Sequence, residues 1–137
     1  MNKFTQEKAL RAKIALAVDA LVQDAREFIK SHKDLHRELT NAQLYGLLNV
    51  VRNVRDLENL TKKHAQHQAT KAANAGRRIE TFWRSWEKKL VELQEKAKEI
   101  ARSVNSAWVN DSERINRISQ ILRIKYVQHL IAEKFNL

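Results

Sequence analysis

Between residues 62 and 84 six cations, Lys62, Lys63, Lys71, Arg77, Arg78 and Arg84, stand against one acid, Glu80. Half of the formal net charge of +10 lies in that window. Lysine and arginine in such excess suit the neutralisation of phosphates, because each neutralised phosphate releases condensed counterions with little regard to base sequence. If the segment is helical, His64, His67, Lys71, Asn74 and Arg78 recur at steps of three and four on one side, with Ala65, Ala69 and Ala72 elsewhere on the surface. Such a stripe tracks a phosphate backbone. A merely solvated helix is the plainer reading of any charge run, but the large net charge favours a polyanion. Arg114, Arg117, Arg123 and Lys125 offer a second contact line from the last helical segment.

Aromatic side chains beside cations bind single strands by stacking, which makes Trp83 and Trp86 candidates next to Arg77, Arg78 and Arg84. Their register argues for the core instead. Phe82, one position off, is the better candidate for exposure, and Trp108 either pins the loop it stands in or touches a partner chain. His32 with His36 and His64 with His67 have spacings that place two imidazoles on one helical face. Two ligands do not make a site, and with no cysteine, no Glu-x-x-His pair and no HExxH run the expectation is no metal and no cofactor. His129 reads as a satisfied histidine of the helical interior. There is no Gly-rich phosphate loop, nucleophile elbow or carboxylate pair in an apolar stripe, so the chain is expected not to be an enzyme.

The elements that must position these residues are helices. Gly and Pro together number two in 137 residues, while Ala, Leu, Lys, Glu, Gln and Arg abound, which argues against a sheet and its turn chemistry. Residues 1–137 are expected to form a single all-α domain, a bundle of four to five helices. From Thr5 to about Ser31, Leu10, Ile14, Ala17, Leu21 and Phe28 keep one side of a first helix. Asp19 interrupts the apolar run Ile14 to Val22 and no small-residue cleavage site follows, so this is read as an ordinary helix and not a secretion signal. Thr40 with Gln43 three residues on is a capping box that opens a second helix, with Leu44, Leu47, Val51 and Val54 inward and Leu48, Leu57 and Leu60 widening the stripe.

Residues 61–75 then lose large apolar side chains and read as a helical or partly ordered excursion ended by Gly76. Ile79, Trp83, Trp86, Leu90, Leu93, Ala97, Ile100 and Val104 recur at steps of four and three, a helix of about seven turns. Its outer side carries Lys88, Glu92, Lys96 and Glu99, with Glu92 and Lys96 in the favourable i,i+4 order. Asn110 or Asp111 caps a last helix reaching about Phe135, whose stripe of Ile115, Ile118, Leu122 and Tyr126 is extended round the helix by Ile121, Ile124, Val127 and Ile131. No run approaches the roughly 18 apolar residues of a membrane span, and the lack of cysteine fits a reducing, cytoplasmic setting.

The run Leu39, Thr40, Asn41, Ala42, Gln43, Leu44, Tyr45, Gly46, Leu47, Leu48 resembles the Leu-Thr-x-x-Gln-Leu/Ile-x-x-Leu start of the helical small subunits of CRISPR effector complexes, the type III versions above all. The resemblance implies a non-catalytic subunit, present in more than one copy, that stacks inside a ribonucleoprotein filament with its basic face on guide RNA and target strand. Only Thr40, Gln43, Leu44 and Leu47 carry over as motif positions, and they read as capping and packing residues. The basic insert before Gly76 departs from that pattern. The expectation is sequence-independent contact with RNA or single-stranded DNA backbone in antiviral defence, through Lys62, Lys63, His67, Lys71, Arg77, Arg78, Arg84, Arg114 and Arg117, alongside other effector subunits. The alternative is a protein interaction module that offers the Ile79–Val104 stripe to a partner helix and uses its charge for solubility.

Overall fold

In the computed structural model, which describes residues 2–135, the chain forms five α-helices and, among the described residues, no strand. They are α1 (Lys3–Ser31), α2 (Asn41–Asn53), α3 (Lys62–Asn74), α4 (Glu80–Val104) and α5 (Ser112–Lys134). The expected all-α bundle is therefore the architecture. No helix among the described residues is long and apolar enough to cross a membrane.

Helix α5 is the hub, packing on α1, α2 and α4, while α3 leans on α4. This explains its apolar residues on more than one side: Ile115, Ile118, Leu122, Tyr126, Val127 and Leu130 are all buried, and only Ile121 of the extended set is exposed. The long repeat of α4 also turns inward, with Trp83, Trp86, Leu90, Leu93 and Ala97 buried and Trp86 stacked on Tyr126 at 6.0 Å. The stripe that the interaction-module reading offers to a partner is thus occupied within the chain. Phe82 corrects the expectation of exposure: it is buried, edge-on to Phe28, His32 and Trp83.

The helix boundaries follow local chemistry where a cap is written in the sequence. Thr40 Oγ1 accepts from the Gln43 N–H at 3.1 Å and Gln43 Oε1 accepts from the Thr40 N–H at 2.9 Å, the reciprocal box that satisfies two orphan donors. Asp111 accepts from the Arg114 N–H at the start of α5, and Gly76 takes the left-handed φ of +65° between α3 and α4.

Two expectations are overturned between α2 and α4. Helix α2 stops at Asn53 and the chain runs extended through Val54 and Asp56 into a wide turn, Leu57–Thr61, broken at Asn59 (φ −79°, ψ −110°). Leu60, expected inside, is 59% exposed. The cause lies on α5. Gln120 donates to the Val51 and Arg52 carbonyls (3.1 and 2.9 Å), and the buried Arg123 donates to those of Val54 and Arg55 (3.2 and 2.5 Å), so carbonyls that a longer α2 would need for its own ladder are already satisfied. Residues 62–74 take the helical form expected, but the alanines placed on the surface are not there: Ala65, Ala69 and Ala72 are buried, and their small side chains allow α3 to lie close against α4.

Smaller corrections concern polar groups. Glu92 pairs with Lys89 at 2.5 Å, not with Lys96. Lys89, nearly buried, also reaches Asp24 at 3.1 Å, and Tyr126 donates to the same carboxylate at 2.9 Å, tying α1, α4 and α5 together. His129, expected to be satisfied, keeps Nε2 buried with no partner among the described residues.

Candidate nucleic-acid interface

Of the nine cationic or imidazole positions proposed from sequence, ion pairing separates two groups. Lys62 lies 3.7 Å from Glu58, Arg84 lies 3.1 Å from Glu80, and Arg78 reaches both Asp34 (3.6 Å) and Glu38 (3.4 Å). Each is already partly neutralised. Arg114 is withdrawn further: it pairs with Glu7 at 2.7 Å and Asp111 at 3.4 Å, and its guanidinium lies 3.8 Å over the Trp108 ring. Trp108 thereby pins the turn Ser106–Asn110 to the start of α5. The hydrogen bond from Arg114 holds the Glu7 carboxyl below its usual pKa.

Arg123 is a correction to the second contact line. It is fully buried, and burial pulls its pKa down to about 10; its two Nη groups donate to Ser119 and to backbone carbonyls, while Nε has no partner among the described residues, so it serves the fold. Arg117 and Lys125 remain exposed on α5, with no ion pair among the described residues, and neither lines the depressions described next.

Lys63, Lys71 and Arg77 have no carboxylate partner among the described residues, and each is exposed. They gather along one seam. Helices α2 and α3 flank it with little direct contact, which leaves two depressions between them. One, of about 100 Å³, is lined by Gln43, Gln68, Lys71, Arg77 and Trp83. Two cations and two amide side chains around so small a cleft present only donors and amide oxygens, with no acid among the lining residues. That is a setting for an anionic oxygen group. The other, of about 460 Å³, has Val50, Val54, Leu60 and His64 as its apolar lining and Lys63 and His67 at its margin.

Lys63 and Lys71 are two steps of four apart on α3 and therefore share a side, separated by about 12 Å along the axis. The expected stripe needs two changes. Arg78 stands in the turn beyond the end of α3 at Asn74 and does not continue it. Lys71 and His67 belong to it, but His64 is half-buried, with its ring edge-on to Trp83 at 5.6 Å, and desolvation followed by the nearby His67 lowers its pKa. Neutral imidazole is the form this position favours.

Several contributors lay outside the residues read from sequence. Gln43, identified only as a cap, also lines the cationic cleft, as does Gln68. Lys33 and Arg37, from the connection between α1 and α2, border a shallow basin shared with Arg77, Arg78 and Gly76, in which Asp34 and Glu38 offset part of the positive charge. The basic run His32–Arg37 was the available signal, but only the packing of that connection beside Gly76 attaches it to the α3–α4 turn. His32 stands 2.9 Å from the Phe28 carbonyl. Among the described residues no three His, Asp or Glu side chains are grouped to hold a metal ion. The chain matches no family model, no curated protein and no solved structure, and the chemistry of the seam therefore rests on its own residues.

Proposed function

We propose that this chain is a non-catalytic subunit that holds the backbone of single-stranded nucleic acid within a larger ribonucleoprotein assembly, as the small subunits of CRISPR effector complexes do. The observation that carries the reading is that Lys63, Lys71 and Arg77 border one seam without carboxylate partners, while neighbouring cations are paired. Unpaired cations in line release counterions from a phosphate chain, whereas a cation already paired must first give up its acid. The role in antiviral defence, contact with guide and target strands, and assembly with further copies and backbone subunits follow from the resemblance around Thr40–Leu48. Repeated weak seams then add through avidity.

Binding of a labelled single-stranded RNA to the full chain, followed by fluorescence anisotropy across a salt series, tests the reading. Affinity should fall linearly on logarithmic axes, and joint reversal of Lys63, Lys71 and Arg77 to Glu should reduce the slope by about 2, at about 0.7 per phosphate contact on a single strand. No binding in low salt would sink it.

A second reading, a protein-only interaction module, draws on Phe4 and Leu16, which α1 leaves 74% and 71% exposed. It predicts partner capture that survives the triple reversal.

A further inference from the structure

We propose that the larger depression of the α2–α3 seam is a base subsite: one nucleobase of a bound single strand leaves the stack and enters between Val50, Val54, Leu60 and His64 while the backbone follows the cations. This inference rests on the polyanion reading and adds to it a second kind of contact, to a base and not a phosphate.

Leu60, at 59% exposure over an apolar groove, forfeits burial that a fold would ordinarily claim, and it is held there by the capped end of α2 and the broken turn at Asn59. The groove, of about 460 Å³, is of the size that takes a small organic ring, in contrast to the cleft of about 100 Å³ beside it. Its margin carries amides with free capacity. Asn53 Nδ2 donates to the Asn49 carbonyl and to Asn49 Oδ1 (2.8 and 2.9 Å), which among the described residues leaves the Asn53 side-chain oxygen and the Asn49 amide hydrogens open. An open acceptor beside open donors matches the edge of a base. Behind this lining His64 Nδ1 is buried and, among the described residues, has no partner, so the ring presents the groove with an aromatic and not a polar surface.

Charge identifies the occupant. Among the described residues no carboxylate lines the groove, and Lys63 and His67 line it with Lys71 further along the same side of α3. An apolar helix from another protein would gain nothing from these cations, whereas a base arrives tethered to the phosphates they attract. With α2 and α3 antiparallel about the seam, the base subsite lies at the end of α2 and the cationic cleft at its beginning. A strand lying in the seam meets both.

Anisotropy titrations of the full chain at low salt, with an oligouridine RNA and an abasic ribose-phosphate strand of equal length and charge, separate the two contributions. The base-bearing strand should bind about tenfold tighter, as one stacked base gives. Leu60→Ser, at an exposed position, should erase that preference and leave abasic affinity unchanged, and Asn53→Ala should narrow it. Lys71→Glu with Arg77→Glu should weaken both strands alike. Equal affinity for the two strands, or a preference indifferent to Leu60→Ser, overturns the base subsite and leaves the backbone reading standing. Loss of self-association on Leu60→Ser, with strand preference intact, assigns the groove to a second copy and overturns it as well. Absence of binding to either strand removes both readings together.

Discussion

At the scale of the residue, the molecule places its arginines in opposite roles. Arg123 is a buried cation whose planar fork meets the carbonyls of Val54 and Arg55 and the Ser119 hydroxyl, a geometry an ammonium does not reproduce. Arg123→Lys should therefore destabilise the chain by about 1–3 kcal/mol, the order of leaving buried acceptors unmade, as measured by urea denaturation. Hydrogen exchange of Leu57–Thr61 should quicken in the same variant. His64 supplies a pH signature. Its folded pKa lies below the ordinary 6.5, so below that value the unfolded chain binds more protons and stability falls as the pH falls. The contribution is complete above pH 6.5 and is lost on further acidification, whereas the stability that Glu7 gains from its lowered carboxyl pKa persists down to about 4.5 and is lost only below it. Denaturation midpoints should drop between pH 7.5 and 5.5, and His64→Leu should flatten that drop.

At the scale of the element, α3 and α4 depend on alanine. Ala65, Ala69 and Ala72 lie on α3 at steps of four and three, fully buried or nearly so against a helix whose facing side includes Trp83. Ala69→Leu would force α3 outward, at about 1–3 kcal/mol for overpacking, and widen the spacing that shapes the seam. A fall in melting temperature with weaker strand binding is the expected pair of results. An equal fall without loss of binding would separate the seam from the α3–α4 contact. The heptad pattern of α4 and the capping box of α2 were legible in the sequence because both are local chemistry repeated at fixed spacing. The alanines were not, since a small side chain looks the same whether it faces water or a closely packed neighbour.

At the scale of the whole molecule, a net charge of +10 predicts attraction to anions but says nothing of where they bind. Pairing decides that. Reversal of Lys62 and Arg84, which already face Glu58 and Glu80, should lower the salt slope less than reversal of Lys71 and Arg77, although the charge removed is the same. Equal losses from the two double variants would mean that binding reads total charge and not the seam. The connection between α1 and α2 brings Lys33 and Arg37 to the border of the same face, together with Asp34 and Glu38, because it packs beside the α3–α4 turn.

Helix content, the starts of α2 and α5, the left-handed stop at Gly76 and the inward face of α4 were determined by the sequence itself, because caps, glycine geometry and periodicity act over a few residues. The end of α2, the exposure of Leu60, the burial of Phe82 and Arg123, and the division of cations into paired and unpaired were decided only by tertiary structure. Each depends on a group far along the chain. Gln120 and Arg123 stop α2 from nearly 70 residues away, and Asp34 and Glu38 partly neutralise Arg78 from about 40. Local sequence cannot hold such information, since hydrogen bonds and ion pairs of this kind exist only once the helices have packed.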